Sequence, residues 1–434
     1  MESCPGTEAG CDPSTSDPEL LVIRSSFSAA AMAATLSSFL ALPAVAQTQW
    51  TVDDDGPADF ADLQLAIDTA LPGDLLLIQP GVYGGAQLTK RLSLLGDPSE
   101  ARPRISAIEI DGAERFDLTH VEFDTLSVNG VPGRSQIDDC VQNPFFSAFQ
   151  TVFFREVGEL VVQGTSFSAL AVVGQAPDRI QVSGDSRIVF ADCSLIGGNG
   201  TVISTSTEPG RGGNALTVMD SSYVTLAGCD VRGGHGESLP GLFIPIGGSG
   251  GHGVELRDDA EADVRGSSFH SIEGGEGDIG ALGFDTDGFS LVNFGTGQLR
   301  RSGVTLVNPE GPNVTWVFPP TPYLFLVGDG TPGSSKRLNF YGEAGASGLV
   351  FTSLNNALVE LPILFGIEAW IDTTQLFQIL PFTMQGQDTP VTHSWLLPPD
   401  PLLAGLALHV QGATQAFGGD GFVGANPATI VLSF

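Results

Sequence analysis

A seven-residue pattern that recurs four times in the middle of the chain constrains the fold most strongly. Its copies are Glu159–Thr165, Arg187–Cys193, Tyr223–Cys229 and Glu261–Ser267. The second and fourth residues of every copy are apolar, which is the two-residue period of a β-strand with one buried side. The copies start 28, 36 and 38 residues apart, so loops of unequal length separate them. Strands repeated in this way predict a solenoid in which successive coils stack on one another.

The aligned copies predict which side chains share a column along the solenoid. Two columns should face the interior: Leu160, Ile188, Val224 and Ala262, then Val162, Phe190, Leu226 and Val264. A third apolar column, two residues beyond each copy, comprises Phe167, Leu195, Val231 and Phe269. The alternation places four residues outside: Gln163, Ala191, Ala227 and Arg265. A corner with left-handed backbone is expected at the next position, which holds Gly164, Asp192, Gly228 and Gly266.

Cys193 and Cys229 occupy one position of the repeat, which Thr165 and Ser267 fill in the flanking copies. We interpret this column as a ladder of small buried side chains. A disulfide is the alternative, but parallel in-register strands orient the Cβ vectors poorly for one. With Cys140, three cysteines follow the leader described below, without the Cys-x-x-Cys or Cys/His spacing of a zinc site.

Before the repeats, Asp59–Gly96 has the pattern of one short amphipathic helix followed by strands. Asp59 is the candidate N-cap, and apolar residues recur at helical spacing until a Leu-Pro-Gly sequence ends the helix. Strand-forming runs at Leu75–Ile78 and Leu88–Leu95 follow. A helix, a Pro-Gly-Asp turn and a strand ending in Pro80-Gly81-Val82-Tyr83 resemble the entry of the pectin-lyase-like right-handed parallel β-helix superfamily.

That resemblance implies an all-β fold, a right-handed parallel β-helix with an N-terminal capping helix, and we assign residues 47–322 to it. Two clusters, Phe318–Pro322 and Gly328–Ser335, have the Pro and Gly content of linkers. Residues 323–434 then show short strand signals, which are typical of a small β-sandwich. Within them, Pro398-Pro399-Asp400-Pro401 resembles the strand entry of C-terminal modules in other secreted bacterial proteins, which implies surface attachment or sorting.

The segment Val141–Phe154 interrupts the repeats and is rich in aromatic residues. Its phenylalanines are Phe145, Phe146, Phe149, Phe153 and Phe154. We expect an inserted loop that packs aromatic surface on the coil. The alternative is an aromatic platform for a sugar.

The formal net charge of −32 arises from 50 acidic and 18 basic residues. Such a surface repels nucleic acid and anionic membranes, and it repels polyanionic sugars unless a cation intervenes. We therefore expect no nucleic-acid partner. The acidity suits calcium-rich or saline surroundings, but solubility alone is the simpler explanation, which we favour.

The N-terminal residues have the pattern of an export signal. Residues 29–42 form an apolar run too short to span a bilayer, and Arg24 precedes it. Ala44-Val45-Ala46 follows with the small-x-small pattern that a signal peptidase reads. We expect residues 1–46 to be a signal peptide cleaved after Ala46, with a true start near Val22. No later run approaches the length of a membrane span, so we expect a secreted or cell-surface protein.

Polygalacturonases of this superfamily use an ordered set of motifs, two fragments of which occur here. Asp138-Asp139 is an acidic pair, and Gly-His-Gly occurs at Gly234–Gly236 and Gly251–Gly253. Paired carboxylates can divide acid and base roles, so Asp138, Asp139 and His235 are the candidate catalytic residues. The Asn-Thr-Asp and Arg-Ile-Lys motifs are absent, however. The repeat aligns His235 with Asn199 and Glu276, which favours a structural turn, because an acid or base should not interchange with Asn.

Two further chemistries remain as alternatives. Pectate lyases of this fold combine calcium-bound carboxylates with an arginine base, yet no motif ties an arginine of the repeats to an acidic cluster. Phe284–Gly288 has the character of a calcium turn, with Asp285 and Asp287 as candidate ligands, because hard cations take carboxylate and carbonyl oxygens. An Asp-x-Asp-Gly sequence is also a common tight turn. Calcium is the one candidate cofactor.

The leading hypothesis is a non-catalytic, secreted or cell-surface β-helix that binds polysaccharide or extracellular matrix through loops on the rod. The alternative is a polysaccharide lyase or glycoside hydrolase with divergent motifs. An acid/base set gathered on one face of the coil would favour the enzyme. Scattered charges along a smooth groove would favour the binding protein.

Overall fold

The computed structural model describes most of the chain after residue 47, in several ranges. They are residues 48–143, 151–203, 206, 208–239, 247–278, 287–317, 321–327, 335–353, 359–360, 368–369, 376–386, 388–396, 407–415 and 422–431. Nearly all regular structure within them is β-strand. None of the helices in these ranges is long and apolar enough to cross a membrane. The chain from Gln47 to Phe434 forms one compact unit.

A short helix, α1 (Leu63–Thr69), covers the first coil, as the sequence predicted. Its N-cap is Asp62, whose carboxylate accepts a hydrogen bond from the Leu65 N–H at 2.7 Å. The expected N-cap, Asp59, was wrong: its carboxylate instead accepts bonds from the N–H and hydroxyl of Thr51 at 2.8 and 2.9 Å. The buried face of the helix therefore begins three residues later than the pattern indicated.

Parallel strands make up the rod that follows. In chain order they are β1 (Gln49–Val52), β2 (Leu75–Ile78), β3 (Val82–Tyr83), β4 (Ala86–Leu88), β5 (Leu92–Gly96), β6 (Arg104–Asp111), β7 (Phe116–Thr119), β8 (Glu122–Asp138), β9 (Val141–Gln142), β10 (Val152–Gln163), β11 (Ser166–Phe167), β12 (Val172–Val173), β13 (Ile180–Ser183), β14 (Arg187–Ala191), β15 (Ser194–Ile196), β16 (Gly200–Thr201), β17 (Leu216–Val218), β18 (Tyr223–Ala227), β19 (Asp230–Arg232), β20 (Val254–Leu256), β21 (Glu261–Arg265), β22 (Ser271–Glu273), β23 (Leu291–Asn293), β24 (Leu299–Ser302), β25 (Thr305–Leu306) and β26 (Val314–Trp316).

These strands form a right-handed parallel β-helix with three faces. We call the first the groove face; it comprises β4, β6, β8, β10, β13, β17, β20 and β23. The second, the docking face, comprises β1, β2, β5, β7, β8, β10, β14, β18, β21, β24 and β26. The third face contains β9, β11, β15, β19, β22 and β25. Long strands such as β8 and β10 serve two faces.

The strand register confirms the alignment of the repeats. Leu160 pairs with Ile188, Ile188 with Val224, and Val224 with Ala262. The side chains of both inner columns are at most 1% exposed. Burial of these stacked apolar side chains is the main contribution to the free energy that stabilises one coil on the next.

The third apolar column departs from the prediction in its last member. Val231 pairs with Ile272, and Phe269 is 72% exposed. An extra turn causes the difference, because the His270 N–H donates to the Ser267 carbonyl and shifts the next strand by three residues. A local turn of this kind leaves no trace in the spacing of the repeats.

Left-handed corners lie where the repeat placed them in three of the four copies. Gly164, Asp192 and Gly228 have φ of 56°, 53° and 62°, whereas Gly266 lies outside the left-handed region. Asp139 continues this column one coil earlier, with φ 50°. Small and Asx residues fit such positions because they tolerate the conformation.

The cysteines form part of a ladder of small side chains. Cys140, Cys193 and Cys229 are all buried free thiols. Thr165 and Ser267, the other residues of the column, are at most 1% exposed. Burial, first of all, and the neighbouring Cys229 raise the pKa of the Cys193 thiol well above its usual value. The Cys193 thiol therefore stays protonated, and all three buried thiols are packing groups.

Antiparallel strands follow the rod, and seven of the nine described form two facing sheets, while the two short strands at Val359–Glu360 and Glu368–Ala369 pair with each other. The nine strands are β27 (Tyr323–Val327), β28 (Ser335–Tyr341), β29 (Ser347–Ser353), β30 (Val359–Glu360), β31 (Glu368–Ala369), β32 (Leu376–Thr383), β33 (Val391–Leu396), β34 (Ala407–Gln415) and β35 (Phe422–Val431). One sheet has the order β27-β28-β33 and the other β32-β29-β34-β35. Leu324, Phe340 and Val410 are fully buried between them. This is the expected β-sandwich, although its first residue, 323, remains a predicted boundary.

The sandwich packs on the docking face of the rod. Tyr323 and Phe325 lie against Ala191 and Ala227, which point outward from their strands yet are 0% exposed. Arg265 reinforces this contact, since its Nη1 donates to the carbonyl of Gly424 in the sandwich at 3.0 Å. The outward column that the sequence predicted is thus an interface.

Candidate functional site

The acidic pair Asp138-Asp139 is divided between two positions. Asp139 is a corner residue whose carboxylate oxygens lie 2.6 Å from Arg102 Nη2 and 2.6 Å from His120 Nδ1. Burial alone would raise the pKa of Asp139, but the His120 hydrogen bond and the Arg102 charge outweigh it, so this pKa lies below its usual value. Asp139 is therefore a carboxylate held in an ion pair.

Asp138 points outward from the docking face and is 5% exposed. Burial raises the pKa of its carboxyl, while the positive charge of Lys336 in the sandwich opposes that rise. The two carboxylates thus do not converge on a common open space. A catalytic role for either remains a prediction.

His235 lies in a stack of glycine-rich turns that repeats from coil to coil. Its backbone N–H donates to Asn199 Oδ1 at 2.8 Å, and its own Nδ1 accepts from the Glu276 N–H at 3.0 Å. His252 repeats the arrangement: its N–H donates to Asn214 Oδ1 at 2.7 Å. These contacts of His235 are those of a turn residue, and the absence of a catalytic role remains a prediction.

The turns pack so closely that only glycine fits between them. Backbone bonds of 2.7–2.9 Å connect glycines of successive segments, namely Gly198, Gly213, Gly234, Gly251, Gly275 and Gly288. A Cβ atom on Gly234 would lie 1.8 Å from the Gly198 carbonyl oxygen. The sequence motif Gly-His-Gly is accounted for by this packing.

The candidate calcium ligands are only partly described. Asp285 lies outside the described residues, and Asp287 Oδ1 accepts the Gly277 N–H at 2.6 Å. Sequence reasoning missed another acidic group, Asp53-Asp54-Asp55, whose carboxylate oxygens lie within 4.8 Å of one another. The run of three acids was the available signal. Exposed acidic groups of this kind are common, and calcium remains a prediction.

The groove face carries an open groove of about 610 Å³ on its outer side. Two columns of outward residues line it in register. The first runs Glu109, Ser127, Phe153 and Gln181; the second runs Asp111, Asn129, Arg155 and Ser183. The residues between them, such as Ile110, Val128 and Phe154, are buried in the rod. Strand alternation alone therefore sets which side chains reach the groove.

The groove combines an aromatic ring with planar polar groups. Phe153 is 46% exposed, and the Arg155 side chain is 66% exposed. Asn129 Nδ2 donates to Asp111 Oδ1 at 2.8 Å, which orients both groups. Glu109, Asp111 and the neighbouring Asp220 outnumber Arg155, so the lining has a negative balance. The arrangement offers hydrogen-bond donors, acceptors and one apolar platform.

Sequence reasoning found only part of this groove. Val141–Phe154 was expected to be an inserted loop, but Phe153 and Phe154 belong to β10, one facing out and one facing in. The alternative of an aromatic platform fits Phe153. Phe145, Phe146 and Phe149 lie outside the described residues. Alternation in Arg104–Asp111 was the signal that could have located the groove.

Comparisons with known proteins leave the family open. No family model matches the chain, and no curated protein sequence matches it. Among solved structures, it is similar to the enzymatically active domain of bacteriophage CBA120 tailspike protein 2, at 10% sequence identity and a TM-score of 0.22. The match covers 89% of this chain and 72% of that chain. A TM-score this low supports no argument, so the fold assignment rests on the strand register.

Proposed function

We propose that this protein is a secreted or cell-surface β-helix that binds a polysaccharide, such as a component of a cell-surface matrix, without cleaving it. The proposal rests on the two columns of outward-facing side chains that line the groove face in register. Ligand sites combine apolar and aromatic surface with a few placed polar groups, and the groove has both. Membership of the pectin-lyase-like superfamily is part of the same proposal.

The geometry suits a linear polymer. Neighbouring strands lie about 4.8 Å apart, so the four rungs from Glu109 to Gln181 span about 14 Å along the rod. A sugar ring can place its apolar side on Phe153 while its hydroxyls reach Asn129 and Gln181. Successive sugar units would then contact successive rungs.

Charge selects against acidic polymers. Three carboxylates and one guanidinium line the groove, and the chain has a net charge of −32. Long-range repulsion lowers the rate at which a polyanion reaches such a surface. The proposed ligand is therefore a neutral polysaccharide.

A lyase or hydrolase is the second candidate, because Glu109 and Asp111 place two carboxylates on one side of a strand. The Cα atoms of residues two apart in a strand are separated by about 7 Å. This spacing is comparable to the distance between the two catalytic carboxyl groups of an inverting glycosidase. Asp111 is engaged by Asn129, which is one reason to rank binding first.

A panel of neutral and acidic polysaccharides, assayed for binding and for cleavage products, tests both candidates. We expect retention on neutral polymers, no cleavage products, and a weakening of about tenfold or more in Phe153→Ala. Phe269→Ala is the matched control, since Phe269 is also exposed but lies on a turn outside the groove. Equal affinity in Phe153→Ala and Phe269→Ala would refute the groove. New reducing ends or unsaturated products that disappear in Glu109→Gln would establish the enzyme instead.

A further inference from the structure

A second concave site lies where the sandwich meets the rod. This cleft has a volume of about 560 Å³. Its rod wall comes from the docking face and includes Arg187, Tyr223 and Glu261, while Gln411 and the segment 424–427 form the sandwich wall. Ligand sites occur preferentially at such junctions, and the volume lies within their usual range of roughly 300–1,000 Å³.

The rod wall is a ladder of unlike side chains. Arg187 pairs in register with Tyr223, and Tyr223 with Glu261, so the three stack on successive rungs over about 10 Å. Burial raises the pKa of the Tyr223 hydroxyl, which therefore remains protonated at neutral pH. The ladder presents a guanidinium, a phenol and a carboxylate side by side.

Charges in and beside the cleft are balanced. Arg265 donates to Asp263 at 2.7 Å, and Arg300 lies 3.8 Å from Glu261. With Arg187 and Asp259, three arginines match three acids in a chain whose basic residues are outnumbered 50 to 18. A balanced site of this kind has no net charge with which to select an ion.

We propose that this cleft is a second saccharide site, which takes an uncharged sugar unit. A sugar supplies many hydroxyls, each of which can donate and accept, and these can bond to charged groups without disturbing their pairing. A charged ligand would have to break an existing ion pair or remain unpaired, which is costly in a partly buried site. Tyr223 adds an aromatic surface at the centre of the ladder.

The two sites lie on different faces of the rod. The turn between β13 and β14 separates them, because β13 belongs to the groove face and β14 to the docking face. A protein with both sites can hold two glycan chains at once and so cross-link a polysaccharide network. This consequence rests on the proposed function of the groove, whereas the cleft site does not.

Calorimetric titration with short cello-, manno- and xylo-oligosaccharides tests the proposal, with oligogalacturonate as the charged comparison. Ser221→Trp fills the cleft from an exposed position, where the Ser221 hydroxyl bonds Asp259 at 2.8 Å. Ser99→Trp is the matched control: Ser99 is also exposed, and its hydroxyl bonds Asp97 at 2.7 Å. Arg300→Ala is a second variant in case the Trp variant does not fold.

We expect two neutral oligosaccharides per chain for the parent and for Ser99→Trp, but one for Ser221→Trp, with at least a tenfold weaker second site in Arg300→Ala. Phe153→Ala should also bind one oligosaccharide per chain, and the double variant Phe153→Ala/Ser221→Trp should bind none. A single parent site that Phe153→Ala abolishes and Ser221→Trp spares would overturn the cleft alone. A single site with the reverse behaviour would overturn the groove alone. No binding of any neutral oligosaccharide, or preference for oligogalacturonate, would overturn both.

Discussion

The side chain of Asn199 accepts a hydrogen bond from the backbone N–H of His235 at 2.8 Å. One coil further on, Nδ1 of His235 accepts the N–H of Glu276 at 3.0 Å. An amide oxygen and an imidazole nitrogen thus have the same role in successive coils. The exchange of Asn for His at this position of the repeat follows from that shared role.

His235→Asn should therefore be close to neutral. We expect a change in the free energy of unfolding of less than about 0.5 kcal/mol, because Asn can accept the same backbone N–H. His235→Ala should cost about 1 kcal/mol or more, since the Glu276 N–H loses its acceptor. Denaturant titration measures both. If His235→Asn instead lowered a polysaccharide-cleaving rate by a hundredfold at unchanged stability, His235 would be an acid or base.

Adjacent residues of β15 test the register of the third face. Leu195 is 0% exposed and Ile196 is 37% exposed. Leu195→Asp should place a carboxylate inside the coil and cost several kcal/mol or prevent folding. Ile196→Asp should change the free energy of unfolding by about 0.5 kcal/mol or less. Similar melting temperatures for the two variants would show that Leu195 does not face the interior of the coil and that this register is wrong.

The interior of the rod could be predicted from sequence because each coil has the same neighbours above and below. Val224 and Leu226 alternate with outward residues whatever lies outside, so periodicity fixes their burial. The sequence periodicity carries no information about what covers the outer side of a strand. Ala227 has the same place in the pattern whether its outer side meets water or Tyr323, and only the packed sandwich decides between them.

The candidate sites were less predictable for a related reason. Asp138 and Asp139 resemble a catalytic pair of carboxylates in the sequence, yet Asp139 is itself a left-handed corner residue, so the two side chains point in different directions. Glu109 and Phe153 share the groove although they lie 44 residues apart in the chain, because coil stacking brings their strands together. Such a constellation depends on loop lengths that vary from coil to coil.

His409 makes stability depend on pH. It is 6% exposed, and burial, followed by the charges of Arg134 and Arg115, lowers its pKa to about 3 from the usual 6.5. The unfolded chain therefore binds the His409 proton below pH 6.5 while the folded chain does not. The stability due to neutral His409 is fully present above pH 6.5 and is lost as the pH falls towards 3. At pH 4.5 the loss is about 2–3 kcal/mol.

His409→Gln isolates this contribution. Its unfolding free energy should fall less than that of the parent between pH 7 and pH 4.5, by about 2–3 kcal/mol. Comparison with the parent is needed because the raised pKa values of Asp138 and Asp192 act in the opposite direction, stabilising the folded chain at low pH. Parallel stability curves for parent and variant would show that His409 titrates normally.

The glycine stack offers the sharpest test of packing between coils. A Cβ atom on Gly234 would lie 1.8 Å from the Gly198 carbonyl oxygen, so Gly234→Ala forces two backbone segments apart and breaks the bonds between them. We expect the free energy of unfolding to fall by more than about 3 kcal/mol, since the costs of overpacking and of unpaired backbone groups add.

Gly84→Ala is the matched control, because nothing lies within 4 Å of its Cβ position and its φ is outside the left-handed region. That variant should be neutral or more stable by up to about 1 kcal/mol, through the reduced entropy of the unfolded chain. Denaturant titration of the two variants decides the matter: a Gly234→Ala protein as stable as Gly84→Ala would mean that the turns do not pack through their glycines, and the structural explanation of the Gly-His-Gly motif would fail with them.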